Sequence, residues 1–187
     1  FALKEIGFQD GVLIKERHNE SGARVFGGNL EGKVAWKDQV QIQAGLTAQN
    51  SRFKEARTWS DEGGVQATRK MFRTPYFYGY LSASYNPVKR MQLSLTGTYT
   101  GSMLIEHHAG FIDSNKSVET PDFWDLNFKI AYDFKIYSSF SLQLNAGVQN
   151  MLNSFQKDFD SGADRDSGYI YGPTLPRSFF LGIKLNY

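Results

Sequence analysis

The stretch Val40-Gln-Ile-Gln-Ala-Gly-Leu-Thr-Ala-Gln49 alternates with a period of two. Val40, Ile42, Ala44, Leu46 and Ala48 fall on one side, and Gln39, Gln41, Gln43, Thr47 and Gln49 on the other. Side chains leave a strand alternately to its two faces, so this segment is a strand with one apolar and one hydrophilic face. The same pattern recurs along the chain. Met91, Leu93, Leu95, Tyr99 and Met103 oppose Gln92, Ser94, Thr96, Thr98, Thr100 and Ser102. Trp124, Leu126, Phe128, Ile130, Tyr132 and Phe134 oppose Asp125, Asn127, Lys129, Asp133 and Lys135. Phe140, Leu142, Leu144, Ala146 and Val148 form a further row, and less regular versions run over 25–36 and 77–85. No stretch carries an apolar stripe at the helical period of 3.6. The chain reads as all-β.

The connections alternate too. Strands near 23–36 and 39–53 meet at Lys37-Asp38; those near 76–86 and 91–107 meet at Asn86-Pro-Val-Lys-Arg90, where Pro87 suits a tight turn. Those near 122–135 and 139–151 meet at Lys135-Ile-Tyr-Ser-Ser139. Between these hairpins lie long polar segments near 54–75, 108–121 and 152–176, and a shorter one near 7–22. Structureless loops beyond about 12–15 residues are uncommon in compact domains. Short turns at one end and long loops at the other describe an up-and-down antiparallel meander, the plan of transmembrane β-barrels.

Composition agrees and excludes other classes. The 187 residues carry a net charge of +2 with both signs dispersed, so the basic stripe that nucleic-acid binding needs is missing. Cysteine is absent, which removes disulfides, thiolate metal sites and cysteine nucleophiles. No apolar run reaches the roughly 18 residues of a membrane helix. A barrel strand, by contrast, alternates lipid-facing and lumen-facing residues and can look soluble on average. Aromatics make up 15% of the chain. On the apolar faces they gather beside the short turns, at Trp36, Tyr85, Phe134 and Tyr187, the height at which membrane barrels place their aromatic girdles. The polar faces are rich in Ser, Thr, Gln and Asn, which suits a wide or plugged lumen. The opening residues Phe1–Asp10 have neither the basic nor the apolar region of a signal peptide and read as those of a processed chain or a fragment.

Two segments carry a family resemblance. Asn145-Ala-Gly-Val-Gln-Asn-Met-Leu-Asn153, followed by Pro176-Arg177 and a strand ending on Tyr187, resembles the C-terminal end of TonB-dependent outer-membrane receptors. Gly147, Val148, Asn150, Leu152 and Asn153 match the outline of the family's penultimate strand, with Met151 and Leu152 where Leu and Phe are more usual. Gly27 through Glu31, and the hairpin opening at Arg73-Thr74-Pro75, resemble further family strands. The resemblance implies a barrel of about twenty-two strands, of which residues 1–187 would be the C-terminal part and supply about the last eight. The plug domain and the segment that meets TonB would lie upstream. It also implies import, without bond chemistry, of a scarce bulky ligand such as a ferric siderophore, haem or cobalamin. No resident cofactor is implied, because any iron or cobalt belongs to the cargo. The implied partners are the lipid bilayer of the Gram-negative outer membrane, the remaining barrel and plug, the TonB complex and the barrel-assembly machinery.

Several residues stand out as candidate sites. Asp158, Asp160, Asp164 and Asp166 lie close in sequence and could offer oxygens to calcium. Their spacing is not that of an EF-hand, and Lys157 and Arg165 offset the charge, so a solvated loop is the plainer reading. His107 and His108 stand at a strand–loop junction; neighbours on a strand point to opposite faces, so at most one would reach a ligand such as haem iron. Trp59, Phe111, Tyr169 and Tyr171, in three different long segments, could form an aromatic rim around a ligand. No Ser/His/Asp set or phosphate-binding loop is legible. In the last strand, Phe179, Leu181, Ile183, Leu185 and Tyr187 form the outward row, and the resemblance makes them an assembly signal. Phe180 breaks the alternation and is expected near the outer rim. Two other architectures fit the residues alone: a complete eight-stranded outer-membrane barrel acting as an adhesin, enzyme or anchor, and a soluble β-sandwich or lipocalin-like binder. Against the first, Phe1–Ile6 is too short to span a bilayer.

Overall fold

A computed structural model describes residues 2–9, 12–18, 21–61, 65–137 and 140–186. Among them there is no helix. The strands are β1 (Ala2–Gln9), β2 (Val12–His18), β3 (Ala23–Trp36), β4 (Val40–Arg57), β5 (Thr68–Lys70), β6 (Phe77–Val88), β7 (Met91–Thr100), β8 (Leu104–His107), β9 (Lys116–Glu119), β10 (Phe123–Tyr137), β11 (Phe140–Gln149) and β12 (Ser178–Asn186).

Seven of these build one antiparallel wall in the order β12-β11-β10-β7-β6-β4-β3, with the short β5 added beside the end of β4. Each long strand therefore pairs with its sequence neighbour, the up-and-down meander that the alternating connections require. The register keeps the two faces distinct. Leu30, Leu46, Gly79, Tyr99 and Trp124 are successive partners across five strands, and Val148 and Phe179 continue the apolar rows at the far edge. The other face carries rows such as Gln43, Ser82, Thr96 and Asn127. Slipping any strand by one residue would exchange the faces, so the alternation itself specifies the pairing. Among the described residues β3 and β12 do not pair with each other, and the wall is an open sheet.

Four features depart from the sequence reading. The region near 7–22 is not a polar loop: β1 and β2 pair as a separate two-stranded sheet from Ala2↔His18 to Gln9↔Val12. Its mixed charged and apolar residues lack the alternation that marks the wall strands. The strand expected over 91–107 ends at Thr100, and 104–107 becomes β8, which pairs with β9 inside the following long segment. Pro87 lies within β6, not in the turn. The register shifts between Tyr85 and Val88 there, a bulge that accommodates a residue with no N–H to give. Asn86 beside it donates from its backbone N–H to Gln39 O and from Nδ2 to Asp38 O, which fastens the two neighbouring short turns together.

Phe180 is the fourth. It stands near the long-segment end of β12, as expected, but it keeps the alternation and lies opposite Gly147 on the polar face. A Cβ on Gly147 would come within 2.5 Å of the Phe180 ring, so glycine is what lets the ring lie flat on the neighbouring strand. Alternation is preserved in geometry even where residue type violates it. Phe179, Leu181, Ile183 and Leu185 do share the apolar face, paired with Val148, Ala146, Leu144 and Leu142. Tyr187 lies outside the described residues.

Candidate functional site

The long segments at one end of the wall fold together into a cap. Its base is the β8–β9 hairpin, joined to the wall by Met103 and Thr120: Thr120 N–H donates to Met103 O, and Met103 N–H donates to Thr120 Oγ1. At its tip, Ala109 N–H donates to Asn115 Oδ1. Gly110 sits there at a φ of +143°, open to glycine and strained for other residues, and the Asp164 carbonyl packs against it. That contact brings the 152–177 segment down onto the hairpin.

The 152–177 segment is clamped at its stem. Asn150 and Asn153, both in the Asn145–Asn153 stretch singled out in the sequence, adopt left-handed φ values of 48° and 54°. Asparagine tolerates this conformation because its short side chain finds local partners. Asn150 is buried; its Nδ2 donates to Ser154 O and Leu175 O, while its Oδ1 accepts from Ser154 N–H. Asn153 Oδ1 accepts from Arg177 N–H. Both ends of the segment are thus held by two asparagines.

Within the clamp, Gln156 replaces a strand ladder. It is 1% exposed; its Nε2 donates to Tyr169 O and its Oε1 accepts from Tyr171 N–H. Below it Tyr169, 3% exposed, stacks on His107 with ring centroids 3.5 Å apart and planes 11° from parallel. His107 Nε2 lies 3.0 Å from both carboxylate oxygens of Asp160. Tyr169 and Tyr171 both donate their hydroxyls to Asp158. Burial opposes ionisation of Asp158, yet the Tyr171 and Tyr169 hydroxyls outweigh it and hold the carboxyl below its usual range. The two phenols are pushed well above theirs, first by burial and then by the carboxylate they serve. Asp166 is lowered as well: burial opposes the charge, but the backbone N–H groups of His108 and Gly168 overcome it. Arg73, at a φ of 54°, closes the assembly by donating from its guanidinium to the carbonyls of Ile170 and Gly168.

The structure therefore gathers almost every loop residue that the sequence singles out, and sorts them. Tyr169 and His107 are interior. Trp59 and His108 meet edge to face at 4.7 Å, with Trp59 Nε1–H donating to Ser117 Oγ. His108 and Phe111 are exposed, while Trp59 and Tyr171 are half-buried. The four aspartates do not converge. Asp158 serves two tyrosines, Asp160 serves His107 and the Asp166 N–H, and Asp166 serves two other backbone N–H groups. Among the described residues, no group of three or more His, Cys, Asp or Glu side chains is placed to hold a metal ion. Sequence reading names neither Gln156 nor the reach of Arg73; Gln156 carries no local signal, and Arg73 stands out only as part of Arg-x-Pro.

With this geometry in place, comparison with solved proteins becomes informative. The siderophore receptor PiuA from Acinetobacter baumannii superposes on 88% of this chain with a TM-score of 0.57 and 18% identity. The ferric-catecholate import receptor Fiu from E. coli K12, in its closed form, superposes on 98% of it with a TM-score of 0.59 and 20% identity. The chain has the fold of a siderophore-receptor wall. It spans 22% of PiuA and 23% of Fiu, so the likeness concerns one part of each receptor. No protein-family model matches the chain, and no curated sequence does. At this level of identity the likeness describes the fold alone.

Proposed function

We propose that the chain is the C-terminal part of the barrel of a TonB-dependent outer-membrane receptor that imports a ferric siderophore. The apolar face of the wall meets the lipid, the polar face meets the lumen and its plug, and the cap stands outside the cell. The short turns face the periplasm. The open edges of β3 and β12 pair with the remaining strands of the barrel, which removes the exposed backbone groups that hydrocarbon cannot satisfy.

One observation supports this most strongly. The wall leaves its apolar face uncovered along its whole length, with Phe26, Leu30 and Leu181 each at least 77% exposed, while its loops bury their own polar groups. A soluble sandwich would pack a second layer on that face. The dimensions agree. Phe26 and Trp36 bound the apolar row of β3 and lie ten steps apart. At about 3.3 Å per residue and a tilt near 40°, that row is roughly 25 Å tall, the height of a barrel's apolar band. A closed eight-stranded barrel would need the chain's first strand to pair with β12, whereas among the described residues β1 pairs with β2 and β12 with β11.

In this role the cap recognises cargo and catalyses nothing. Trp59, His108, Phe111 and Tyr171 offer the outward surface, Tyr169 and His107 brace it from beneath, and iron arrives with the ligand. The test uses the full-length protein that contains this chain, expressed in Gram-negative cells. The expected result is outer-membrane fractionation, heat-modifiable gel migration and TonB-dependent uptake of a ferric catecholate complex. A stable, monodisperse protein recovered without detergent would overturn the membrane assignment. Correct insertion with no uptake of any ferric siderophore would overturn the cargo.

A further inference from the structure

Beyond the long-loop end of the apolar rows, the same face turns basic. Arg24 on β3 is the direct cross-strand partner of Arg52 on β4, and Arg52 is in turn the partner of Lys70 on β5. Cross-strand partners share a face, so three cations stand side by side over three strands. Lys54, two residues beyond Arg52, adds a fourth to that face. Like charges directly opposite one another destabilise a sheet. Lys70 has a partial answer in Glu119, 3.3 Å away. Among the described residues no carboxylate pairs with Arg24 or Arg52; Arg52 Nε donates to Asn50 Oδ1 instead.

Position says what answers them. Arg24 lies one same-face position beyond Phe26, where the apolar row of β3 ends, and Arg52 lies across from it. On the reading that this face meets lipid, the row stands at the level of the headgroups on the loop side of the bilayer. Guanidinium groups are planar forks that match phosphate oxygens in pairs. We propose that Arg24, Arg52 and Lys54 form a seat for the phosphate-bearing headgroup of a membrane lipid, whose acyl chains run down the apolar face below. The pairing would otherwise cost stability; a bound phosphate converts it into an attachment.

The test uses the full-length receptor in nanodiscs of phosphatidylcholine containing a minority of phosphatidic acid, with retained lipid read by native mass spectrometry. Wild-type protein should retain phosphatidic acid in preference to phosphatidylcholine. Each of Arg24→Gln, Arg52→Gln and Lys54→Gln should lower that preference by roughly fivefold, the worth of one cation near an anionic surface. The Arg24→Gln variant carries the test if either of the other two fails to insert, since Arg24 is exposed. Unchanged preference in the inserted variants would overturn the seat. Equal retention of inorganic phosphate by wild-type protein would overturn the lipid assignment in favour of a free-anion site. Failure of wild-type protein to insert at all would instead overturn the receptor reading on which this proposal rests.

Discussion

The wall and the cap of this chain bury opposite things. In the wall, large apolar side chains such as Phe26, Leu30 and Leu181 are bare. In the cap, polar side chains such as His107, Thr120, Asn150 and Gln156 are nearly inaccessible. A single solvent cannot account for both. Apolar exposure on the scale of the wall would drive association in water. Polar burial in the cap is tolerated because Asn150, Gln156 and His107 Nε2 have partners, although His107 Nδ1 is buried with none among the described residues. On the proposed reading each half is stable in its own surroundings: hydrocarbon around the wall, water around a cap that carries its own core.

Substitutions can break this comparison. Tyr169→Ala removes the ring beneath the cap, strips one donor from Asp158 and unstacks His107. Loss of a buried aromatic costs about 3–5 kcal/mol, so the cap should open to protease across 154–177 while the wall keeps its heat-modifiable migration. Loss of migration as well would mean the two regions are one cooperative unit. Leu181→Arg is the reciprocal experiment. A charge on the lipid face costs about 2–4 kcal/mol near the membrane midplane, so insertion should suffer while the cap, once assembled, resists protease as before. Asn150→Ala should cost about 1–3 kcal/mol by orphaning its backbone partners and leaving a left-handed residue without side-chain support. Protease sensitivity confined to the stem of the 152–177 segment would fit; no change would remove the clamp from the account.

Acid sharpens the boundary further. Asp158 and Asp166 have folded-state pKa values below the ordinary 3.8. Their contribution to the cap is therefore present above that pH and is lost as pH falls through the folded values. Pepsin cleavage within 154–177 should rise on acidification below about pH 3.8, and the Asp158→Asn variant should show a smaller rise. A pH-independent cleavage rate would show that these carboxylates do not hold the cap.

The wall was legible because its signal is local. Period-two alternation at Val40–Gln49 or Met91–Thr100 is written in consecutive residues, and strand limits follow within a few positions except after Met91, where the strand expected to reach 107 ends at Thr100. Even Phe180, which breaks the pattern by type, obeys it in space once Gly147 opens room. The cap was legible only as a list of unusual residues. His107 and Asp160 are 53 positions apart, and Arg73 reaches carbonyls 95 and 97 positions away. No periodicity encodes such pairs. Residue type drew attention to His107, Tyr169 and Asp158, but only the fold revealed that they face one another. The β1–β2 hairpin was missed for a related reason: its residues do not divide into an apolar and a polar face.

The chain's three tryptophans allow one measurement of the central claim. Trp36 and Trp124 stand exposed on the apolar face at its two ends, whereas Trp59 belongs to the cap. Single-tryptophan versions of the full-length protein, with the others changed to Phe, can be reconstituted in lipids carrying brominated acyl chains. Fluorescence of Trp36 and Trp124 should be quenched strongly and that of Trp59 hardly at all. Equal quenching of all three, or none at Trp36 and Trp124, would contradict a wall in hydrocarbon beneath a cap in water.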